Sequence, residues 1–313
     1  NMEIFIRKAM PEDAEDIAKL YNEVYSGNYS LLSFTEPRSV ESLVKDEKYK
    51  WYIAHSKEGV IGSTVAEIYP WNNSVEYGKG VVKKEHSGKG IMKSMLTQAK
   101  NDEPSYNADI SWSQVRNEPI YRICSGILKQ NMVGYFPGAH LVNERETFLL
   151  SIGMLETGKK KRVISHANEI YSLPMMQRII KNMGLEEGIE ASYPDNIIVC
   201  PAQGESVSLN GFYHSREKSL IISSINKWDF EPPQYLQATL LIDKIKHIEL
   251  LQKYGFAITG FLPAWFLFED KRYDCILMTL PLIQPVFNDI FLKEFVRELA
   301  LGFQAGGEDG RKI

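Results

Sequence analysis

The chain reads as a mixed α/β protein built of two successive units, and three observations predict this. Residues 76–96, EYGKGVVKKEHSGKGIMKSML, form a strand, a glycine-punctuated turn and the start of a helix: Val81 and Val82 close a β-rich run, and Ile91, Met95 and Leu96 have the spacing of a buried helical stripe. From residue 3 to about 155, strand-like runs alternate with amphipathic helical periods. Finally, Gly134-Tyr135-Phe136-Pro137, followed by Glu144-Arg145 and the apolar run 148–152, returns as Gly260-Phe261-Leu262-Pro263, Asp270-Lys271 and 275–280 at nearly the same spacing.

The elements follow in order. Residues 3–8 read as a strand, and Met10-Pro11-Glu12-Asp13 leads into a helix with Ala14, Ile17, Leu20 and Tyr21 on one face. Residues 51–55 and 60–69, joined by the Lys57-Glu58-Gly59 turn, read as a hairpin preceding a strand at 75–82. A strand at 108–115, a helix at 117–128 and a strand pair from Gly134 to about 155 complete the first unit. In the second half, residues 235–280 supply a strand, a helix at 243–254, Gly255-Phe256 and another strand pair, the same order as the end of the first unit.

The turn at Ser87-Gly88-Lys89-Gly90 can aim bare N–H groups at one spot, and the positive end of the helix dipole adds to them. A phosphate or pyrophosphate is the natural guest, helped by Lys84, Lys89 and Lys93. A nucleotide P-loop ending at Gly88-Lys89 requires glycine at 83 and Ser or Thr at 90, where Lys83 and Gly90 stand. A dinucleotide fingerprint requires a third glycine at 93, which is Lys. An ordinary strand-to-helix bend is the bland alternative.

The run Val82-Lys83-Lys84-Glu85-His86-Ser87-Gly88-Lys89-Gly90-Ile91-Met92-Lys93 resembles the coenzyme A loop of the GNAT superfamily of acyl-CoA-dependent N-acyltransferases, Arg/Gln-x-x-Gly-x-Gly/Ala after a Val-x-Pro strand end. Ser87 stands where Arg or Gln is usual, Met92 where Gly or Ala is usual and Lys84 where Pro is common, while the Gly88-Lys89-Gly90-Ile91 core is kept. The order of elements over residues 3 to about 155 is also the family's. The resemblance implies a mixed central sheet flanked by helices, and the repeated spacing reads as a second, smaller, degenerate GNAT-like α/β unit that lacks a phosphate loop, with coincidence between two amphipathic hairpins as the alternative. The expected division is 1–158 and 159–313, with the Lys159-Lys160-Lys161-Arg162 run as a solvated linker.

By resemblance, acetyl-CoA is the acyl donor, held by Val81, Val82, Lys83, Ser87, Gly88, Lys89, Gly90, Ile91 and Met92, with the Val82 N–H polarising the thioester carbonyl. Acyl transfer to an amine also needs a base to free the nitrogen lone pair. Glu76 lies six residues before Val82, on the same face by strand alternation, where the family often carries that base. The alternative for Glu76 is an exposed strand glutamate. For the leaving thiolate the family offers a Tyr seven residues after an Asn. Counting from Asn117 reaches Cys124, so Cys124 and Tyr121, one turn earlier, are the candidates, against small-hydrophobe packing for the cysteine. Asn117 reads as a helix cap with Pro119 in the first turn, and by resemblance its amide also touches the pantetheine arm.

The composition narrows the classes. At 313 residues with 44% hydrophobic content the chain can bury a substantial core. Thirty-six Lys and Arg against 40 Asp and Glu give a net charge of −4, which argues against a nucleic-acid surface. Cys124, Cys200 and Cys275 are odd in number and far apart, the six histidines form no HxxxH or HxH pair, and no Ser sits in a GxSxG elbow, so disulfide, metal and serine chemistry are not expected. The most apolar stretch, 257–268, is short and interrupted by Gly260 and Pro263, and no secretion-signal pattern opens the sequence, so a cytoplasmic protein without a membrane partner is expected. The expected activity is transfer of an acetyl group to a primary amine of a small molecule or peptide by direct transfer, in a possible homodimer. The alternative is a CoA-binding sensor or interaction module without turnover, motivated by Ser87, Met92 and the missing tyrosine.

Overall fold

The computed structural model describes residues 3–141, 144–165, 169–199, 205–207, 211–214, 219–222 and 234–304. Cys200 and His166, with most of the stretch before Tyr235 in which no second phosphate loop was read, lie outside the described residues. The chain divides into two compact units, Asn1–Ser113 with Arg122–Gln130, and Gln114–Tyr121 with Asn131–Ile313. Both combine β-sheet with flanking helices, a mixed α/β architecture.

The first unit runs β1 (Phe5–Lys8), α1 (Ala14–Val24), α2 (Pro37–Lys45), β2 (Tyr49–Ser56), β3 (Gly59–Tyr69), β4 (Ser74–Val82), α3 (Ile91–Asn101) and most of β5 (Ile110–Val115), and both β5 and α4 (Glu118–Gly126) cross the division. Its strands lie in sequence order, antiparallel from β1 to β4, with β5 joining β4 in parallel. The predicted hairpin is β2 and β3. Helix α2, unforeseen in the sequence, starts on Pro37, whose fixed φ suits a first turn. Ahead of α1, Asp13 accepts the Met10 N–H at 2.8 Å and takes Arg7 in a two-pronged pair at 2.7 and 2.8 Å. One sheet face packs Trp51, Ile53, Val65 and Val81 against Ile17, Leu20 and Tyr21 of α1, the stripe read from the sequence. On the other face α3 lies over β3, where a Cβ added to Gly62 would come within 3.1 Å of both Ile91 Cγ2 and Met95 Cε.

The second unit contains β6 (Asn131–Leu141), β7 (Arg145–Met154), α5 (Glu156–Lys161), β8 (Arg162–Ile164), α6 (Pro174–Met183), β9 (Ile189–Glu190), β10 (Glu205–Val207), β11 (Gly211–His214), β12 (Ser219–Ile222), β13 (Tyr235–Leu241), α7 (Ile245–Lys253), β14 (Ala257–Phe268), β15 (Lys271–Pro281) and α8 (Ile290–Gly302). The sheet order is β7-β6-β14-β15-β13-β12-β11-β10, with β8 beside β15.

The sequence echo is a repeated hairpin device. β6/β7 and β14/β15 both break register just after their proline, and the next residue takes a left-handed conformation in each, Gly138 at φ +67° and Ala264 at φ +53°. In both copies the freed peptide groups are capped in the same way. Arg145 Nε donates to the Gly138 carbonyl at 2.6 Å and Arg272 Nε to the Ala264 carbonyl at 2.7 Å, while Thr147 Oγ1 accepts the Gly138 N–H at 3.1 Å and Asp274 Oδ1 accepts the Ala264 N–H at 2.8 Å.

The Lys159–Arg162 run departs from its reading as a solvated linker. It ends α5 and begins β8, and Arg162 is 1% exposed, paired through two hydrogen bonds of 2.8 and 2.6 Å with Asp274. A guanidinium can be buried this way because its fork matches a carboxylate, and the partner lies far along the chain, out of reach of any local pattern.

Candidate functional site

The loop after β4 is built as its residues dictate. A short 3-10 turn over Lys84–His86 leads to Ser87, then Gly88 at φ +77° and Gly90 at φ +76°, both in the left-handed region where a side chain is strained, and Gly90 is the N-cap of α3. Ser87 through Gly90 are exposed, and a Cβ built at either glycine meets nothing within 4 Å, so the space in front of both is open. The first-turn amides of α3 have no partner within the helix, which makes this end an anion cradle. Below the loop, the His86 ring is 4% exposed, 3.2 Å from Glu58 Oε2 through Nε2 and 3.2 Å from Lys89 Nζ through Nδ1. An ammonium can only donate to that ring nitrogen, so Nε2 carries the proton that Glu58 accepts.

Met92, the bulkiest departure from the family pattern, does not lie across the cradle. Its thioether rests on β4 at Gly80, where an added Cβ would be 2.6 Å from Met92 Cε. Glycine at 80 makes room for methionine at 92, and the residues present fit a bound pyrophosphate.

The strand end supplies a second element. Lys83 donates its N–H to Ile61 at 2.9 Å, so alternation in the β3–β4 ladder turns the Val82 N–H to the opposite edge of β4. On that edge the pairing with β5 covers only Ser74–Glu76 against Ile110–Trp112, although β4 runs on to Val82. The Val82 amide therefore points to the side on which the β4–β5 ladder has ended.

Glu76 is not the exposed strand glutamate of the alternative reading: it is 6% exposed. Its Oε2 accepts Tyr69 Oη at 2.9 Å and Lys79 Nζ at 2.5 Å, and Lys79 also reaches Glu67 at 2.7 Å. Burial opposes the charge on Lys79, but Glu76, Tyr69 and Glu67 outweigh it and hold the ammonium well above its ordinary range. Burial first, then the Glu76 charge, push Tyr69 up as well, so it stays a neutral donor. The expectation that Glu76 shares a face with Val82 fails. The register pairs Gly78 with Val65 and Val81 with Ser63, one residue more on β4 than on β3, and this bulge resets the alternation. Glu76 shares its face with Val81 and the α1 side, whereas Val82 lies on the α3 side with Gly62.

The remaining candidates separate. Asn117 caps α4 as read, its Oδ1 accepting the Ile120 N–H at 3.1 Å. The Tyr121 ring packs against Phe291 and Phe295 of α8, at centroid distances of 4.8 and 5.3 Å. Cys124 is buried at 1% exposure. Glu76, Cys124 and the loop residues belong to the first unit, and Asn117 and Tyr121 to the second. Sequence reasoning missed Glu67, Tyr69 and Lys79, although the Gly78-Lys79-Gly80 run inside a strand is the signature of a bulge. Among the described residues, no group of three or more His, Cys, Asp or Glu is placed to hold a metal ion, and no helix is long and apolar enough to cross a membrane.

Among solved structures, the chain is similar to the ribosomal-protein-S5-alanine acetyltransferase of Vibrio fischeri, with 18% identity and a TM-score of 0.41 over 49% of this chain and 93% of that one. It is similar to a GNAT-family acetyltransferase of Streptococcus pneumoniae, with 14% identity and a TM-score of 0.42 over 49% of this chain and 99% of that one. It is also similar to yncA of Salmonella typhimurium, solved with its cofactor acetyl-CoA, with 14% identity and a TM-score of 0.43 over 49% and 94%. No protein-family model and no curated protein matches the sequence.

Proposed function

We propose that this chain is an N-acyltransferase that moves an acetyl group from acetyl-CoA to a primary amine of a small molecule or peptide, with both substrates bound together. The observation that carries the proposal is the pair of left-handed glycines, Gly88 and Gly90, opening α3 in front of free space, beside a strand whose Val82 N–H is turned to its unladdered edge. Acetyl-CoA, when bound, supplies a thioester as the electrophile. The amides from Gly88 to Met92 hold the pyrophosphate, with Lys84 and Lys93 exposed alongside to add charge. The Val82 N–H donates to the oxygen on which negative charge develops, and a fixed dipole there needs no reorganisation. Glu76 takes the proton that the acceptor nitrogen gives up, and Cys124, of the same unit, is the candidate for returning one to the departing sulfur.

A CoA-binding module without turnover is the second reading. It is favoured by the commitment of Glu76 Oε2 to two donors, Tyr69 and Lys79. Calorimetric titration with acetyl-CoA, with ATP and NAD as controls, tests the cradle: selective acetyl-CoA binding is expected, weakened at least about tenfold by Gly90→Val, because a β-branched residue is strained at positive φ and fills the open space. Absence of binding ends both readings. Free-thiol release across a panel of amines then separates them, since one productive acceptor excludes the module.

A further inference from the structure

We infer that Lys79 is a positioning residue for Glu76, dividing the work of its two carboxylate oxygens so that Oε1 is left for the acceptor amine. The inference rests on the acyltransferase reading and goes beyond it by naming the residue that orients the base and the carboxylate oxygen that meets the amine.

In a regular strand, residues three apart point to opposite faces, and Lys79 would face away from Glu76. The β4 bulge changes this. Lys79 sits at φ +55°, and its backbone carbonyl is held by the hydroxyl of Tyr21 on α1. Its ammonium is thereby brought between Glu67 Oε2, at 2.7 Å, and Glu76 Oε2, at 2.5 Å. Tyr69 donates to the same Glu76 oxygen. Both donors therefore act on Oε2, while Oε1 lies over Gly78, 3.2 Å from where a Cβ would stand there. Gly78 does not have a left-handed φ, so its backbone does not require glycine; what its missing side chain provides is room for the Glu76 carboxylate, whose Oε1, Cδ and Cγ lie 3.2, 3.5 and 3.7 Å from where a Cβ would stand. An acceptor ammonium meeting Oε1 passes one proton to it, leaving a neutral amine with its lone pair free and a neutral carboxyl still held through Oε2.

The test is a double-mutant cycle. Lys79→Met is expected to lower kcat about tenfold or more in the natural background and to have no further effect when Glu76→Gln is already present, because a positioning residue acts only through the group it positions. Lys79→Arg, which keeps the charge, is expected to restore most of the loss. Acetyl-CoA affinity by calorimetry is expected to stay within about twofold in every variant. Gly78→Ala, whose new methyl stands beside Oε1 without backbone strain, is expected to lower kcat several-fold at unchanged acetyl-CoA affinity. Equal loss from Lys79→Met in both backgrounds, or a matching fall in acetyl-CoA affinity, overturns the inference while leaving Glu76 as base. If Glu76→Gln alone leaves kcat unchanged, the assignment of the base fails, and the role of Lys79 with it.

Discussion

Gly134 and Gly260 meet where β6 and β14 pair, with no room for a side chain at Gly134: a Cβ there would lie 2.6 Å from both Gly260 Cα and the Thr259 carbonyl oxygen. Both obstacles are backbone and cannot turn aside. Gly134→Ala is expected to destabilise the protein by about 3 kcal/mol. At Gly260 the nearest obstacle to a Cβ is Leu277 Cβ at 3.1 Å, so Gly260→Ala is expected to cost less. Denaturant midpoints at unchanged m-value check the order of the two, and an equal cost contradicts it.

The contact between Gly80 and Met92 calls for the opposite outcome. A Cβ at Gly80 would strike Met92 Cε at 2.6 Å, but that atom is the free end of a flexible side chain. Gly80→Ala is expected to cost under about 1 kcal/mol while displacing the thioether and weakening acetyl-CoA binding several-fold. Adding Met92→Ala is expected to restore the affinity, which calorimetry on the single and double variants measures.

Asp13 gives the first unit a defined acid sensitivity. Burial opposes its charge, but the Arg7 guanidinium and the Met10 N–H outweigh it and hold the carboxyl below its ordinary range. A group depressed in the folded state stabilises the fold above its unfolded-state value, and the contribution disappears as the pH falls through the lower folded-state value. Asp13→Asn is expected to cost about 1–2 kcal/mol at pH 7 and progressively less through this acid window, as followed by urea unfolding at a series of pH values. A cost that does not change with pH removes the charge from the explanation.

Arg162 and Asp274 are both essentially unexposed, and Asp274 is further committed to Tyr171 Oη at 2.6 Å and the Ala264 N–H. Arg162→Met leaves that carboxylate buried without its counter-ion, at an expected cost of about 3–5 kcal/mol. Combining it with Asp274→Asn, which removes the stranded charge, is expected to cost less than the sum of the two single changes. Strict additivity shows that the pair does not act as a unit.

The parts of the site readable in the sequence are those governed by neighbours in the chain. Gly88 and Gly90 announce a left-handed turn because only glycine takes that conformation without strain, and Asn117 announces a cap because its side chain reaches an amide three residues on. The α1 stripe and the β2–β3 hairpin follow from periods of a few residues. The echo of Gly134 in Gly260 was visible as spacing.

What that echo does, and what surrounds Glu76, only the tertiary structure decided. One extra residue in β4 turns Lys79 towards Glu76 and puts Val82 on the opposite face from it, an outcome that strict alternation predicts the wrong way round. The Lys159–Arg162 run looked like solvated charge because nothing near it in sequence could neutralise a buried guanidinium, and its partner is Asp274, 112 residues on. Local backbone chemistry is encoded within a turn or two of chain, so the amino-acid sequence by itself determined the glycine turn, the Asn117 cap and, apart from α2, the order of elements in the first unit. Burial of charge and the facing of side chains after a bulge depend on segments distant in sequence, and these were set only when the strands came together.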